Sequence, residues 1–334
     1  MHSSNPENPV NPVEKRICLT TAKTSPKIPP ALGLAVGVTA ASTASTFIRL
    51  AQGSVDSAAV AAWRLTIATL ILAPFALATC RKEWRALTRR EWGLIIASGL
   101  LLAAHFYTWI TSLTLTSVAA SVVLVATSPL FVGAISHFFL KEQMSRQMVI
   151  GMAVAFTGSL IIGLADAGEG THQITGDLLA LFGALSAAGY MLIGRSLRTQ
   201  ETRNLRPPLS LLAYVFPVYG TAALALLIAA STGGVALGGY PAQAWLWLTL
   251  MAVFPQIVGH STLNWALGHV SATFVALAVL AEPIGSTLLA WLILREPPTF
   301  STLIGGVLIL IGIMAAGAKN SQKTLAKVSE PSQG

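Results

Sequence analysis

Charge is scarce in this 334-residue sequence. Only 10% of the residues are Asp, Glu, Lys or Arg, against 54% hydrophobic, and the mean hydropathy is +0.67. That leaves too little charge to cover a water-soluble domain of this length. Cysteine is nearly missing as well, with Cys18 and Cys80 alone, which excludes a disulfide-built scaffold. Alternation of apolar and polar residues with period two is absent, which excludes a membrane β-barrel. There is no H-E-x-x-H, G-x-S-x-G, C-x-x-C or Walker-type phosphate loop. No catalytic residue, metal or cofactor is therefore expected. An intramembrane enzyme is kept only as a remote alternative, because His260 and Asn264 have the spacing of some membrane protease sites but lack a paired-glutamate motif.

What the sequence has in quantity is long apolar runs. A bilayer core about 30 Å thick needs roughly 20 apolar residues per helix. Ten runs meet that length, at 31–50, 57–79, 92–113, 116–140, 147–165, 176–195, 207–230, 242–265, 270–294 and 299–318. They predict an all-α membrane protein of ten transmembrane helices. The first run is too long for a removed signal peptide and is read as a retained helix. Residues 1–29 and 319–334 are polar and are read as disordered cytoplasmic tails.

Positive charge orients the runs. With the N-terminus inside, all but three of the 21 Lys and Arg residues fall on the cytoplasmic side. The exceptions are Arg49 at the end of the first run, Arg64 within the membrane and Arg295 in an outer turn. The net charge of +8 follows from this topology, and no nucleic-acid partner is needed to explain it. The chain is expected in the cytoplasmic (inner) membrane with both termini inside, and its thiols on the reducing side.

One segment occurs twice. Residues 129–163 laid over 283–317 pair Pro129 with Pro283, Glu142 with Glu296, Gly151 with Gly305, Gly158 with Gly312 and Gly163 with Gly317, without a gap. Two repeats follow, at 31–165 and 176–318. Each holds five helices, an odd number, so the second enters the membrane from the opposite side. A one-residue adjustment pairs His105 with His260. The glycines permit close helix packing, within the monomer or at a dimer contact.

The ten-run pattern, the duplicated segment ending in Lys141–Glu142 and Arg295–Glu296, and the sequence Leu280-Ala281-Glu282-Pro283 resemble EamA-domain transporters of the drug/metabolite transporter superfamily. The resemblance spans nearly everything outside the tails. It implies alternating-access transport of small metabolites, often export of amino acids or related compounds, through a cavity lined by helices 1, 3, 4, 6, 8 and 9. A passive facilitator or channel is the alternative. Protons or a counter-substrate are candidate coupling partners, and nothing specifies the oligomeric state.

Polar residues inside apolar runs locate the candidate site. Gln256, His260 and Asn264 recur every four residues, on one helical face. His105 and Trp109 share a face of the third run, and Tyr190 offers an aromatic wall and a hydroxyl on the sixth. Glu282 lies near the middle of the ninth run, where the first repeat has Ser128. It reads either as a proton-exchanging or cation-contacting carboxylate, or as a buried acid bonded between helices. Arg64 is read as a structural cation tied to Asp56 or to exposed carbonyls. Pro129 and Pro283 are read as kinks, and Glu142 and Glu296 as structural residues at turns.

Overall fold

The computed structural model describes residues 28–115, 121, 124–139, 144–165, 173–199, 208–294 and 300–329. Glu142, Glu296 and the residue before each lie outside the described residues, as do residues 1–27 and 330–334. The described elements are all helical. They run α1 (Pro30–Gln52), α2 (Ser57–Thr79), α3 (Arg81–Arg85), α4 (Arg89–Leu115), α5 (Ser128–Phe139), α6 (Arg146–Ala165), α7 (Gln173–Arg198) and α8 (Leu211–Thr232). Then follow α9 (Ala242–Met251), a π-helical segment (Ala252–His260), α10 (Ser261–Leu267), α11 (Ala272–Val279), α12 (Glu282–Leu289), a short π turn (Ala290–Leu294) and α13 (Phe300–Ser329). Among the described residues, 7 helices are long and apolar enough to cross a membrane, and two shorter apolar ones span Arg146–Ile161 and Phe300–Ala316.

Local chemistry sets the helix starts. Asp56 caps α2 by accepting from the Ala58 amide at 2.8 Å, and Ser271 caps α11 by accepting from the Phe274 amide at 3.2 Å. Thr88 and Glu91 form a reciprocal capping box at α4, with Glu91 Oε2 accepting from the Thr88 amide and Thr88 Oγ1 from the Glu91 amide. Ser210 caps α8, and its own amide and hydroxyl donate to Glu83 of α3 at 2.8 and 2.7 Å. The outward faces of the long helices carry Leu70, Phe75, Leu100, Phe182, Leu224 and Ile228, all exposed, as lipid contact requires.

α2 packs on α8, α4 on α7 and α8, α5 on α7 and α11, and α1 on the π segment and α12. The pair α6 and α13 crosses with almost no space between backbones. A Cβ added at Gly151 would fall 2.5 Å from the Gly312 carbonyl oxygen, and one at Gly158 would fall 2.5 Å from that of Gly305. The low-numbered end of α6 thus meets the high-numbered end of the α13 contact, so the two helices run antiparallel. The duplicated glycines therefore pack against each other inside one chain.

The eighth, ninth and tenth runs depart from simple α-helices. The eighth changes to π geometry around Pro255, which has no N–H to donate and crowds the preceding turn. The ninth is broken at Leu280–Ala281, and α12 restarts with Glu282 and Pro283. The same break precedes α5: Thr127 and Leu130 amides donate to Leu124 and Thr127 carbonyls, just as Ala281 and Ile284 amides donate to Ala278 and Ala281. Pro129 and Pro283 each take the second position of a helix, where a missing donor costs nothing. They mark restarts, and do not kink continuous helices. In the tenth, α13 continues to Ser329, past the expected end of the span at 318, through residues such as Lys323, Leu325 and Ala326 that favour helix.

The glycine contact predicts that Gly151→Val or Gly312→Val lowers the midpoint of thermal unfolding in detergent, by an amount equivalent to about 1–3 kcal/mol of overpacking. Gly93→Val, at a site with open space around it, leaves the midpoint in place.

Candidate functional site

The site is assembled around a buried cation. Arg64 of α2 is 2% exposed, and its Nε donates to Gln256 Oε1 at 2.7 Å. Its guanidinium carbon stands 4.4 Å from the centroid of the Phe106 ring on α4, a cation–π distance. Phe106 in turn meets the His260 ring edge-on at 5.5 Å between centroids. Glu282, at the start of α12, lies near enough for its carboxylate to interact electrostatically with Arg64. Arg64 was expected to reach Asp56 or free carbonyls. Asp56 is instead engaged in capping α2, and Arg64 turns toward the π segment.

π geometry changes which residues of the eighth run meet. With five residues between bonded groups, the Gln256 carbonyl is approached by the Ser261 hydroxyl at 3.5 Å and by the Tyr219 hydroxyl at 3.5 Å. Tyr219 and Ser261 also share a hydrogen bond of 3.2 Å. Gln256 is fully buried and Asn264 is 1% exposed, while His260 is half-buried. Asn264 Nδ2 donates to the His260 carbonyl at 2.7 Å and to the Tyr190 hydroxyl. Gln256, His260, Asn264, Tyr190, Phe106 and Arg64 thus form one connected cluster, drawn from α2, α4, α7 and the α9–α10 helix.

His105 and Trp109 form a second, adjoining group on α4. Their rings stack with centroids 5.9 Å apart, and His105 Nδ1 lies 3.0 Å from the Gly183 carbonyl of α7. A carbonyl only accepts, so Nδ1 carries the proton, and Nε2 of the neutral ring is an acceptor. Trp109 Nε1 is buried without a hydrogen-bond partner among the described residues. Pro129 is buried in α5, and Pro283 follows Glu282 in α12; neither touches the cluster through a polar group.

Phe106, Tyr219 and Ser261 were not singled out in the sequence. Tyr219 left a trace, since a hydroxyl within the apolar run of α8 needs a partner in lipid. Phe106 left none, because a phenylalanine beside a histidine in an apolar helix is ordinary core composition.

The profile of the EamA-like transporter family matches the chain twice, over residues 29–164 and 174–317. The chain belongs to the EamA-like transporter family. Proteins similar to this EamA chain include a riboflavin transporter of Brucella anthropi, 24% identical over 77% of this chain and 86% of its own length. Another is the pseudopaline exporter CntI of Pseudomonas aeruginosa, 24% identical over 81% of this chain and 89% of its own. A protein of known crystal structure shares the fold, with a TM-score of 0.72 over 88% of this chain and 98% of its own, at 18% identity. Family and apolar helices together make this a multi-pass membrane transporter.

The Arg64–Gln256 bond predicts that Gln256→Leu, which strands a buried guanidinium Nε, destabilises the folded protein by about 1.5–3 kcal/mol. Thermal unfolding in detergent reads the loss, and Gln256→Glu, which keeps an acceptor for Nε, retains a midpoint near that of the parent.

Proposed function

We propose that this protein is a secondary transporter that exports a small organic metabolite, amino acid-like or related, across the cytoplasmic membrane by alternating access. In this reading its ten helices form two inverted five-helix repeats, with both termini in the cytoplasm. The observation that carries the reading is the polar cluster, which takes Arg64 and Phe106 from the first half and Gln256, His260, Asn264 and Tyr190 from the second. Ionisable and polar groups gathered at the interface of two halves are what a substrate site between repeats requires.

Helix packing supports the inversion. Gly151 meets Gly312 while Gly158 meets Gly305, and exchanging each glycine for its repeat counterpart turns one contact into the other. Gly183 of α7 faces the His105 carbonyl and Thr108 of α4, while Gly37 of α1 faces the Gly259 carbonyl and Thr262 of the eighth run. Those two contacts also exchange when Gly37 is laid on Gly183 and, at the offset of 154, Gly259 on His105 and Thr262 on Thr108. The positive-inside distribution supports the orientation. The riboflavin transporter and the pseudopaline exporter among the similar proteins support a small organic substrate.

In this scheme His260, Asn264 and His105 face the substrate, Trp109 and Tyr190 supply aromatic walls, and Glu282 exchanges a proton. Counterflow in proteoliposomes tests it: saturable exchange of a labelled metabolite is expected, whereas conductance without saturation would indicate a channel. His260→Ala, Asn264→Ala and Glu282→Gln are each expected to lower transport at least about tenfold, the loss of a ligand hydrogen bond, with folded protein retained. Full activity in all three removes the assignment. Glu282→Gln should also abolish the response to an imposed pH gradient, and a parent protein indifferent to that gradient rules out the proton step.

A further inference from the structure

Three polar atoms in the cluster are buried without a hydrogen-bond partner among the described residues: Arg64 Nη2, Gln256 Nε2 and Asn264 Oδ1. Such atoms cost free energy unless something satisfies them. Two of the three are neighbouring donors. Gln256 presents Oε1 to Arg64 Nε, and a guanidinium can only donate, so the amide orientation is fixed by chemistry. Gln256 Nε2 then sits on the same amide, two bonds from the atom that holds Arg64, and its N–H groups are unclaimed. Arg64 Nη2 belongs to the same guanidinium whose Nε makes that contact. Two side chains already in contact, one of them fully charged, thus each keep a buried donor without a hydrogen-bond partner among the described residues.

We propose that this pair is the anchor for a carboxylate on the transported substrate, with one oxygen accepting from Arg64 Nη2 and the other from Gln256 Nε2. A planar oxyanion matches a planar guanidinium, and charge-assisted hydrogen bonds of this kind are among the strong ones. Phe106 covers one face of the guanidinium, so the ligand approaches in the plane of the fork, which is the direction a carboxylate uses. Glu282 does not fill the role, because its charge acts on Arg64 while Nη2 remains without a hydrogen bond. Arg64 thereby changes from a structural cation to a specificity-determining residue. The assignment rests on the transporter reading above, and it adds that the substrate is an organic carboxylate held by that group.

The test uses the full-length protein in detergent and a matched set of probes: phenylacetate, 4-methyl-2-oxopentanoate, leucine, phenylalanine and tryptophan, each beside its methyl ester. At least one acid should raise the unfolding midpoint while its ester does not. Gln256→Glu supplies a carboxylate from the protein itself, so it should fold and yet bind that acid at least about tenfold more weakly. Arg64→Gln should lose the same affinity. Esters binding as well as acids, no acid binding at all, or unchanged acid affinity in Gln256→Glu would overturn the proposal. Failure of the transporter reading has a different signature: acids that bind in an Arg64-dependent manner but show no counterflow in proteoliposomes.

Discussion

The guanidinium of Arg64 is the constraint that organises the centre of this protein. Enclosing a full charge among membrane helices costs several kcal/mol unless the surroundings supply compensating dipoles and charges. Here the supply is assembled from separate parts of the chain: an amide oxygen from the π segment, an aromatic face from α4 and the more distant carboxylate of α12. None of these would suffice alone. Because each arrives on a different helix, the position of Arg64 fixes how α2, α4 and the eighth run lie against one another.

The π segment makes that arrangement possible. Pro255 removes one backbone donor, and the wider turn that accommodates it points Gln256 inward next to Arg64. The Gln256 carbonyl, which accepts the Ser261 amide, is also approached by the hydroxyls of Ser261 and Tyr219. The hydroxyls that meet this carbonyl are therefore contiguous with the side chain that holds the cation.

Much of the scaffold was legible in residues alone. The spans at 57–79 and 147–165 agree with α2 and α6 to within a residue, because Asp56 and the polar turn before Arg146 end the apolar periodicity abruptly. The glycines of the duplicated segment foretold close packing, and α6 and α13 pack through them. The stripe of Gln256, His260 and Asn264 does belong to one cluster. What could not be read was pairing at a distance. Nothing near Arg64 in sequence names Gln256, 192 positions away. Nor did periodicity show the break at Leu280–Ala281, because the apolar run resumes after Glu282 and Pro283 and reads as one span.

The scaffold and the site obey different rules. The breaks before Pro129 and Pro283 share one hydrogen-bond pattern, and the glycine contacts of α6 and α13 map onto each other. The polar groups do not. By the 154-residue offset of the duplicated segment, Gln256 corresponds to Leu102, Asn264 to Ile110 and Glu282 to Ser128. A pseudo-symmetric frame lets two opposed conformations have similar energies, whereas a symmetric site would bind two half-sized ligands or none in particular. Placing Arg64 on one half and its amide and carboxylate partners on the other gives a single polar centre that each conformation must carry intact. In the proposed alternating-access scheme, movement between the halves would act on the Arg64–Gln256 hydrogen bond, which joins α2 to the eighth run.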